Sequence, residues 1–273
     1  MSSHATDVIA SCDPTEVVIV RRDAQNQRVC RTVATIPMIG RAEVLRKTRL
    51  HLDASRSASL FADRLLLVEG VTEAAVLREF GWAWAGDDLD KQAFVDALTI
   101  VPMGTKVGPW AVRLLATRGH ELCSRLAVLR DSDQEMAETP TPPGWAGDHD
   151  PEVVLVEHSH PTLEPQLTPR NEQLVAAALE DIKITPPDPL TAEGMRELFR
   201  SKHKEDGVTM PAGRAASRKG EFAEALADQL RDARYNAGDP VHVPAPLQRV
   251  FDFLYPSPPA LPDEPTPEPG GPA

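Results

Sequence analysis

Four carboxylates stand where a chain could use them together. Glu69 and Glu73 flank Gly70 in RLLLVEGVTEAAVLREFG (residues 64–81), and Asp131 and Asp133 form D-S-D after the apolar run LAVL. Acids crowded at one edge of a sheet repel one another unless protons or divalent cations neutralise them. An oxygen-only donor set suits magnesium, with manganese close behind, better than zinc. Two such cations about 4 Å apart are the usual apparatus of phosphodiester hydrolysis, one activating water and the other steadying the leaving oxygen. Lys219, in SRKGEFAEAL just before a helix, is placed to set a positive charge beside developing negative charge.

Each residue taken alone has a plainer explanation. Glu73 on the first turn of a helix is stabilised by the helix dipole. A D-x-D at a strand end is an ordinary polar terminus or an Asx turn, although residues two apart on a strand would aim both carboxylates to one side. Lys219 reads equally as a solvated lysine. Glu69 resists such an account, because a run of apolar residues delivers it to the end of a buried strand. His158 and His160 in EHSHP read as a polar strand edge. Trp82 and Trp84 could stack on bases but read better as packing. Lys106 in PMGTKVG could approach a phosphate, with Gly104 letting the backbone come close.

The elements that must position these groups follow from apolar patterning. VVIV (residues 17–20) reads as a short strand, and Glu43 to Arg64 as helical, with Leu45, Leu50 and Leu52 on or near one face. RLLLV is a strand of the continuous apolar type expected in a parallel sheet. VTEAAVLREFG is predicted as a helix capped by Thr72, presenting Ala75, Val76 and Leu77, and stopped by Gly81. A helix over about Asp88 to Ala97, strand LTIVPMG, helix VGPWAVRLLATRGH and strand RLAVLRDSD complete a β-α-β-α-β rhythm, with EVVLVEHS a further strand. This alternation indicates an α/β domain with a parallel sheet, whose sites lie at the carboxyl ends of strands. Helices are expected around EQLVAAALEDI and over KGEFAEALADQLRDA, where Phe222, Leu226 and Leu230 recur every four residues.

Composition narrows the classes. The net charge of −12 argues against a broad basic face for nucleic acid, without excluding DNA met through divalent cations. Cys12, Cys30 and Cys123 are scattered, so neither a disulfide framework nor a zinc site is indicated. No apolar run approaches the roughly 20 residues of a membrane span, and the N-terminus lacks signal-peptide character, so a cytoplasmic protein without membrane contact is expected. A G-x-x-x-x-G-K-[ST] phosphate loop is absent from the sequence.

Together, V-E-G-x-x-E, the strand ending L-R-D-S-D, T-L-E at Thr162 to Glu164 and K-G-E-F-A resemble the toprim half of the overcoming-lysogenization-defect (OLD) family of ATPase-coupled nucleases, over about Phe61 to Arg234. The resemblance implies a toprim-like (Rossmann-like) parallel sheet flanked by helices, with additional C-terminal helices. It implies that Glu69, Glu73, Asp131 and Asp133 are ligands of two Mg2+ or Mn2+ ions, that Glu164 and the Thr162 hydroxyl serve the second ion, and that Lys219 acts with Glu69 in catalysis. The N-terminus resembles the end of an ABC-type ATPase domain, His4 matching its switch histidine. The phosphate loop and signature that should precede it are missing, so a fragment or one half of a split protein is expected.

The organisation that follows has an ATPase-domain end or remnant at 1–40, a helical connector at 41–60, a toprim nuclease domain at 61–235 with a loop at 134–151, a C-terminal helical segment at 236–255 and a Pro-rich tail at 256–273, too rich in proline to pack. The expected function is a metal-dependent DNA endonuclease, with DNA, an ATPase domain in trans and a second copy of the chain as partners. A covalent tyrosine route is disfavoured, because Tyr235 and Tyr255 lie outside the motifs. The alternative is a non-catalytic regulatory or dimerising module of the same fold.

Overall fold

Strands rich in Leu and Val need apolar cover on both faces, and two layers of other elements supply it. The computed structural model describes residues 3, 5–22, 27–205, 208–235 and 240–255. His4 and the tail 256–273 lie outside the described residues, as do 236–239 at the start of the expected C-terminal segment. The chain opens with α1 (Thr6–Ala10) and an antiparallel hairpin of β1 (Val18–Arg22) and β2 (Arg28–Thr32), then α2 (Arg41–His51) and the single turn α3 (Ala54–Ser57). The helical stretch expected from Glu43 to Arg64 is thus broken after His51. Leu45 and Leu52 are buried, whereas Leu50 is 76% exposed, because two residues on from the buried Thr48 it falls on the opposite side of the helix.

The sheet follows. Its strands are β3 (Arg64–Val68), β4 (Thr99–Pro102), β5 (Arg125–Asp131) and β6 (Val154–Ser159), all parallel, in the order β4-β3-β5-β6. Between β3 and β4 run α4 (Val71–Ala85) and α5 (Leu89–Ala97), and α6 (Pro109–Leu115) leads to β5. After β6 come α7 (Leu163–Leu167), α8 (Glu172–Asp181), α9 (Ala192–Phe199), the small hairpin β7 (His203–Glu205) and β8 (Val208–Met210), α10 (Lys219–Tyr235) and α11 (Ala245–Leu254). A parallel four-stranded sheet between helices, with further helices after it, is as the sequence predicts. No helix among the described residues is long and apolar enough to cross a membrane.

Alternation along the strands divides the core in two. Leu66 and Val68 of β3 and Ala127 and Leu129 of β5 pack with α4, α7, α8, α10 and α11, while Leu65, Leu67, Leu126 and Val128 pack with α2, α6 and the β1-β2 hairpin. In α10, Phe222, Leu226 and Leu230 are all buried, as their spacing requires. Val250, Phe251 and Leu254 of α11 belong to the same core as the sheet.

Helix α4 departs from expectation at both ends. Its N-cap is Gly70, whose N–H is taken by the Glu73 carboxylate, so Thr72 does not cap it. It runs past Gly81 to Ala85 and ends at Gly86, which adopts a left-handed φ of 54°. Gly81 serves packing instead: a Cβ there would lie 3.2 Å from the Phe251 ring and 3.0 Å from Val95 Cγ1. Val76 and Leu77 are buried, but Ala75 faces solvent.

Candidate metal centre

Parallel strands end together, so whatever follows β3, β5 and β6 meets at one edge. Glu69 comes directly after β3, beside the turn out of β4, which is tied to β3 by Met103 N–H donating to Val68 O at 2.9 Å. Glu73 sits on the first turn of α4, where the Gly70 N–H donates to Oε2 at 2.9 Å. Only 7% of Glu73 is exposed. Asp131 closes β5. Past it the chain stays bound to β6, with Ser132 N–H donating to Ser159 O at 3.0 Å and Asp133 N–H to Pro161 O at 3.1 Å.

The D-S-D pair is not the same-side pair that a continuing strand would give. Asp133 adopts a left-handed φ of 55°, a conformation aspartate tolerates better than most residues. The strand ends at Asp131 and its alternation ends with it. Asp131 Oδ1 is enclosed, whereas the Asp133 side chain is 59% exposed and forms an ion pair with Lys106. Ser132 between them bonds His160 Nδ1 at 2.8 Å, and the other ring nitrogen of His160 lies 3.3 Å from Met136 O. This histidine therefore braces the turn.

The later motifs arrive from the helical side. Thr162 is the N-cap residue of α7, and its hydroxyl donates to Glu164 Oε2 at 3.0 Å. Lys219 opens α10 and places Nζ 3.1 Å from each Glu164 oxygen, the glutamate side chain being 4% exposed and the lysine 28%. All seven predicted residues thus lie about one edge of the sheet, with Lys219 on Glu164 and Lys106 on Asp133.

The electrostatics are those of crowded, desolvated acids. Burial pushes the Asp131 carboxyl well above the usual carboxylate range, and Glu164, Glu73 and Glu69 push it the same way against Lys219. Burial also raises Glu69, with Asp133 and Glu73 adding to the rise and Lys106 opposing it. Glu73 is raised by burial and by Glu164, against the pull of its own and the Gly70 N–H groups and of Lys219. Among the described residues, Glu69 Oε1 and Asp131 Oδ1 are buried without a hydrogen-bond partner. A buried acceptor with no donor is costly, and a cation is the kind of partner these two oxygens would take. The donor set is all oxygen, which fits a hard divalent ion.

Among the described residues no three His, Cys, Asp or Glu side chains stand in a ready-made cation-holding group. The acids are near enough to raise one another's pKa values, and two of the five carry a lysine. Arg130, in β5 beside Asp131, belongs to none of the motifs; its charge is felt at Glu69, and its Nε is buried without a partner. An arginine interrupting an apolar strand is the signal that could have found it. The tryptophans are elsewhere: Trp84 donates to Asp252 at 2.8 Å and packs against Phe94, Phe251 and Tyr255, and Trp82 lies under the Arg234 guanidinium.

Residues 60–133 match the model described as overcoming lysogenization defect protein-like, TOPRIM domain. That span contains Glu69, Glu73, Asp131 and Asp133 and stops before Thr162, Glu164 and Lys219. Among solved structures the chain is similar to the C-terminal region of the Burkholderia pseudomallei OLD protein, at 18% identity and a TM-score of 0.47, covering 71% of this chain and 97% of that one. It is also similar to the C-terminal region of the Xanthomonas campestris pv. campestris OLD protein, at 17% identity and a TM-score of 0.41, covering 71% of this chain and 94% of that one. No curated protein matches.

Proposed function

We propose that this chain, whose residues 60–133 match the OLD-like toprim domain family, is a DNA endonuclease that hydrolyses phosphodiester bonds with two Mg2+ or Mn2+ ions. The observation that carries the reading is the pair of buried, donorless oxygens on Glu69 and Asp131 at the carboxyl edge of the sheet, inside an all-oxygen ligand set. Glu69, Asp131 and Asp133 would hold one cation, and Glu73, Glu164 and the Thr162 hydroxyl would line a second position. When bound, the cations supply Lewis-acid activation of water and stabilise the leaving oxygen.

The chain's own groups do the rest. Lys219 Nζ, at the buried end of the cluster on Glu164, is positioned to face negative charge developing on phosphate. Enclosure of Asp131 Oδ1 keeps water from competing for that oxygen. A covalent tyrosine is disfavoured by position, since Tyr235 is 72% exposed at the end of α10 and Tyr255 packs against Trp84 and Phe94. DNA is the substrate in this reading, and an ATPase domain in trans and a second copy of the chain are the partners it proposes.

The test is cleavage of supercoiled plasmid by the full chain with manganese. Nicking is expected from the wild type and its loss, by about 100-fold or more, from Glu69→Ala and Asp131→Ala. A well-folded wild type that neither binds Mn2+ nor cuts DNA at any divalent concentration would overturn the reading. It would favour a non-catalytic regulatory or dimerising module, a role supported by the lysines already seated on Asp133 and Glu164.

A further inference from the structure

Lys106 has no role in that reading, yet the fold takes trouble to place it. It lies in the turn after β4, whose start is pinned to β3 through Met103 N–H and Val68 O, one residue before Glu69. From the other side Arg56 clasps the Met103 carbonyl with Nε at 3.1 Å and Nη2 at 2.7 Å. Arg56 is itself held by the Asp53 carboxylate at 2.6 Å and the His51 carbonyl at 3.1 Å. Gly104 completes the clasp. Its φ of +70° favours glycine, and a Cβ there would lie 2.8 Å from Arg56 Nη2 and push that guanidinium aside. The outcome is an ammonium on Asp133 Oδ2 whose charge also favours the ionised form of Glu69.

The pair stands at the open end of the cluster. The Lys106 side chain is 41% exposed and that of Asp133 59%, whereas the Lys219–Glu164 pair is largely covered. An ammonium and a divalent cation compete for the same carboxylate, and the divalent ion has twice the charge. A lysine displaced from its carboxylate carries its charge on a flexible stem and binds phosphate as a point charge. In a chain of net charge −12, a cation at the mouth of the site bears directly on polyanion binding.

We propose that Lys106 exchanges partners: it neutralises Asp133 while no divalent ion is bound, and moves onto a substrate phosphate when a divalent ion takes Asp133. This rests on the two-metal reading and adds to it a phosphate-binding residue and a reason for the exposed ion pair. The exchange predicts effects of opposite sign from one substitution, which a merely structural lysine would not produce.

The experiment uses the full chain as wild type, Lys106→Ala and Lys106→Arg. Mn2+ affinity is read by calorimetry without DNA, and binding of a short duplex by fluorescence anisotropy in Ca2+ across a KCl series. Lys106→Ala is expected to bind Mn2+ about 3-fold or more tightly, because a competitor is gone, and DNA about 5-fold more weakly, with a salt slope smaller by about 1. Lys106→Arg should restore most of the DNA affinity. Weaker Mn2+ binding by Lys106→Ala, or unchanged DNA affinity and salt slope in a wild type that does bind Mn2+, would overturn the exchange and leave the nuclease reading standing. A wild type that binds no Mn2+ would overturn both.

Discussion

The acidic cluster has an inner and an outer half, and they are neutralised differently. In the inner half Asp131, Glu73 and Glu164 face the layer of α4, α7 and α10, where Glu73 is 7% and Glu164 3% exposed. Asp131 belongs there because it continues the alternation of Ala127 and Leu129, which pack against those same helices. In the outer half the left-handed turn at Asp133 carries that carboxylate out to Lys106 and water. Glu69 links the two, sensing Lys106 and Asp133 on one side and Glu73 on the other. The inner half therefore holds electrostatic cost that a cation would relieve, while the outer half is already compensated. Substitutions should separate the two by sign as well as by size.

The largest effect on stability is expected where the inner half is compensated by a single residue. Removing one partner of a buried ion pair leaves an uncompensated charge, at a cost of about 3–5 kcal/mol for a fully buried pair. Because the Lys219 side chain is 28% exposed, Lys219→Ala should lose less, about 2 kcal/mol of unfolding free energy in urea. Among the described residues Glu164 would keep the Thr162 hydroxyl as its one side-chain partner. The double variant Lys219→Ala/Glu164→Gln should recover most of the loss. If the single substitution is neutral, the inner half is wetter than the geometry indicates and the contrast between the halves fails.

A smaller effect, opposite in sign, is expected at Asp131. Its folded-state pKa is raised, as are those of Glu69 and Glu73. Between the unfolded carboxylate value of about 4 and these raised values the folded chain binds more protons than the unfolded one, so metal-free stability falls as pH rises through that window. His158, lowered chiefly by burial, contributes the opposite slope, so the informative quantity is the difference between wild type and variant. In EDTA at pH 8, Asp131→Asn should be more stable than wild type by about 1 kcal/mol, or about 2–4 °C in Tm. The gain should vanish near pH 4 and reverse when excess Mn2+ stabilises the wild type alone. Equal melting of the two proteins at pH 8 would show that Asp131 carries no buried charge worth relieving.

Much of this arrangement was legible in the sequence, and the illegible part has a common cause. The run Leu65–Val68 and the alternation around Phe222, Leu226 and Leu230 announce a buried strand and a core-facing helix, because burial leaves its period in the residues themselves. Asp88 announces α5 for a similarly local reason: its carboxylate accepts from the N–H groups of Asp90 and Lys91. Gly81 misleads because its contact is with Phe251 in a distant helix. The Thr72 cap fails because Glu73 reaches back to Gly70 first. At the site, the motifs give the acids but not their division into halves, which depends on one left-handed residue and on a turn held by Arg56.

The smallest effect is the one that tests that division most sharply. Asp133→Asn removes the partner of Lys106, yet both side chains are well exposed, at 59% and 41%, so water solvates the freed ammonium and salt already screens the pair. Asparagine also tolerates the left-handed conformation that Asp133 adopts, because its short amide can hydrogen-bond locally there. Unfolding free energy should therefore change by less than about 0.5 kcal/mol. Mn2+ affinity should nonetheless fall, since a carboxylate ligand has become an amide. Urea titration and calorimetry on one preparation give both numbers. A loss of stability near that of Lys219→Ala would make Lys106–Asp133 a structural pair like Lys219–Glu164, and the open end of the cluster would no longer differ from the closed one.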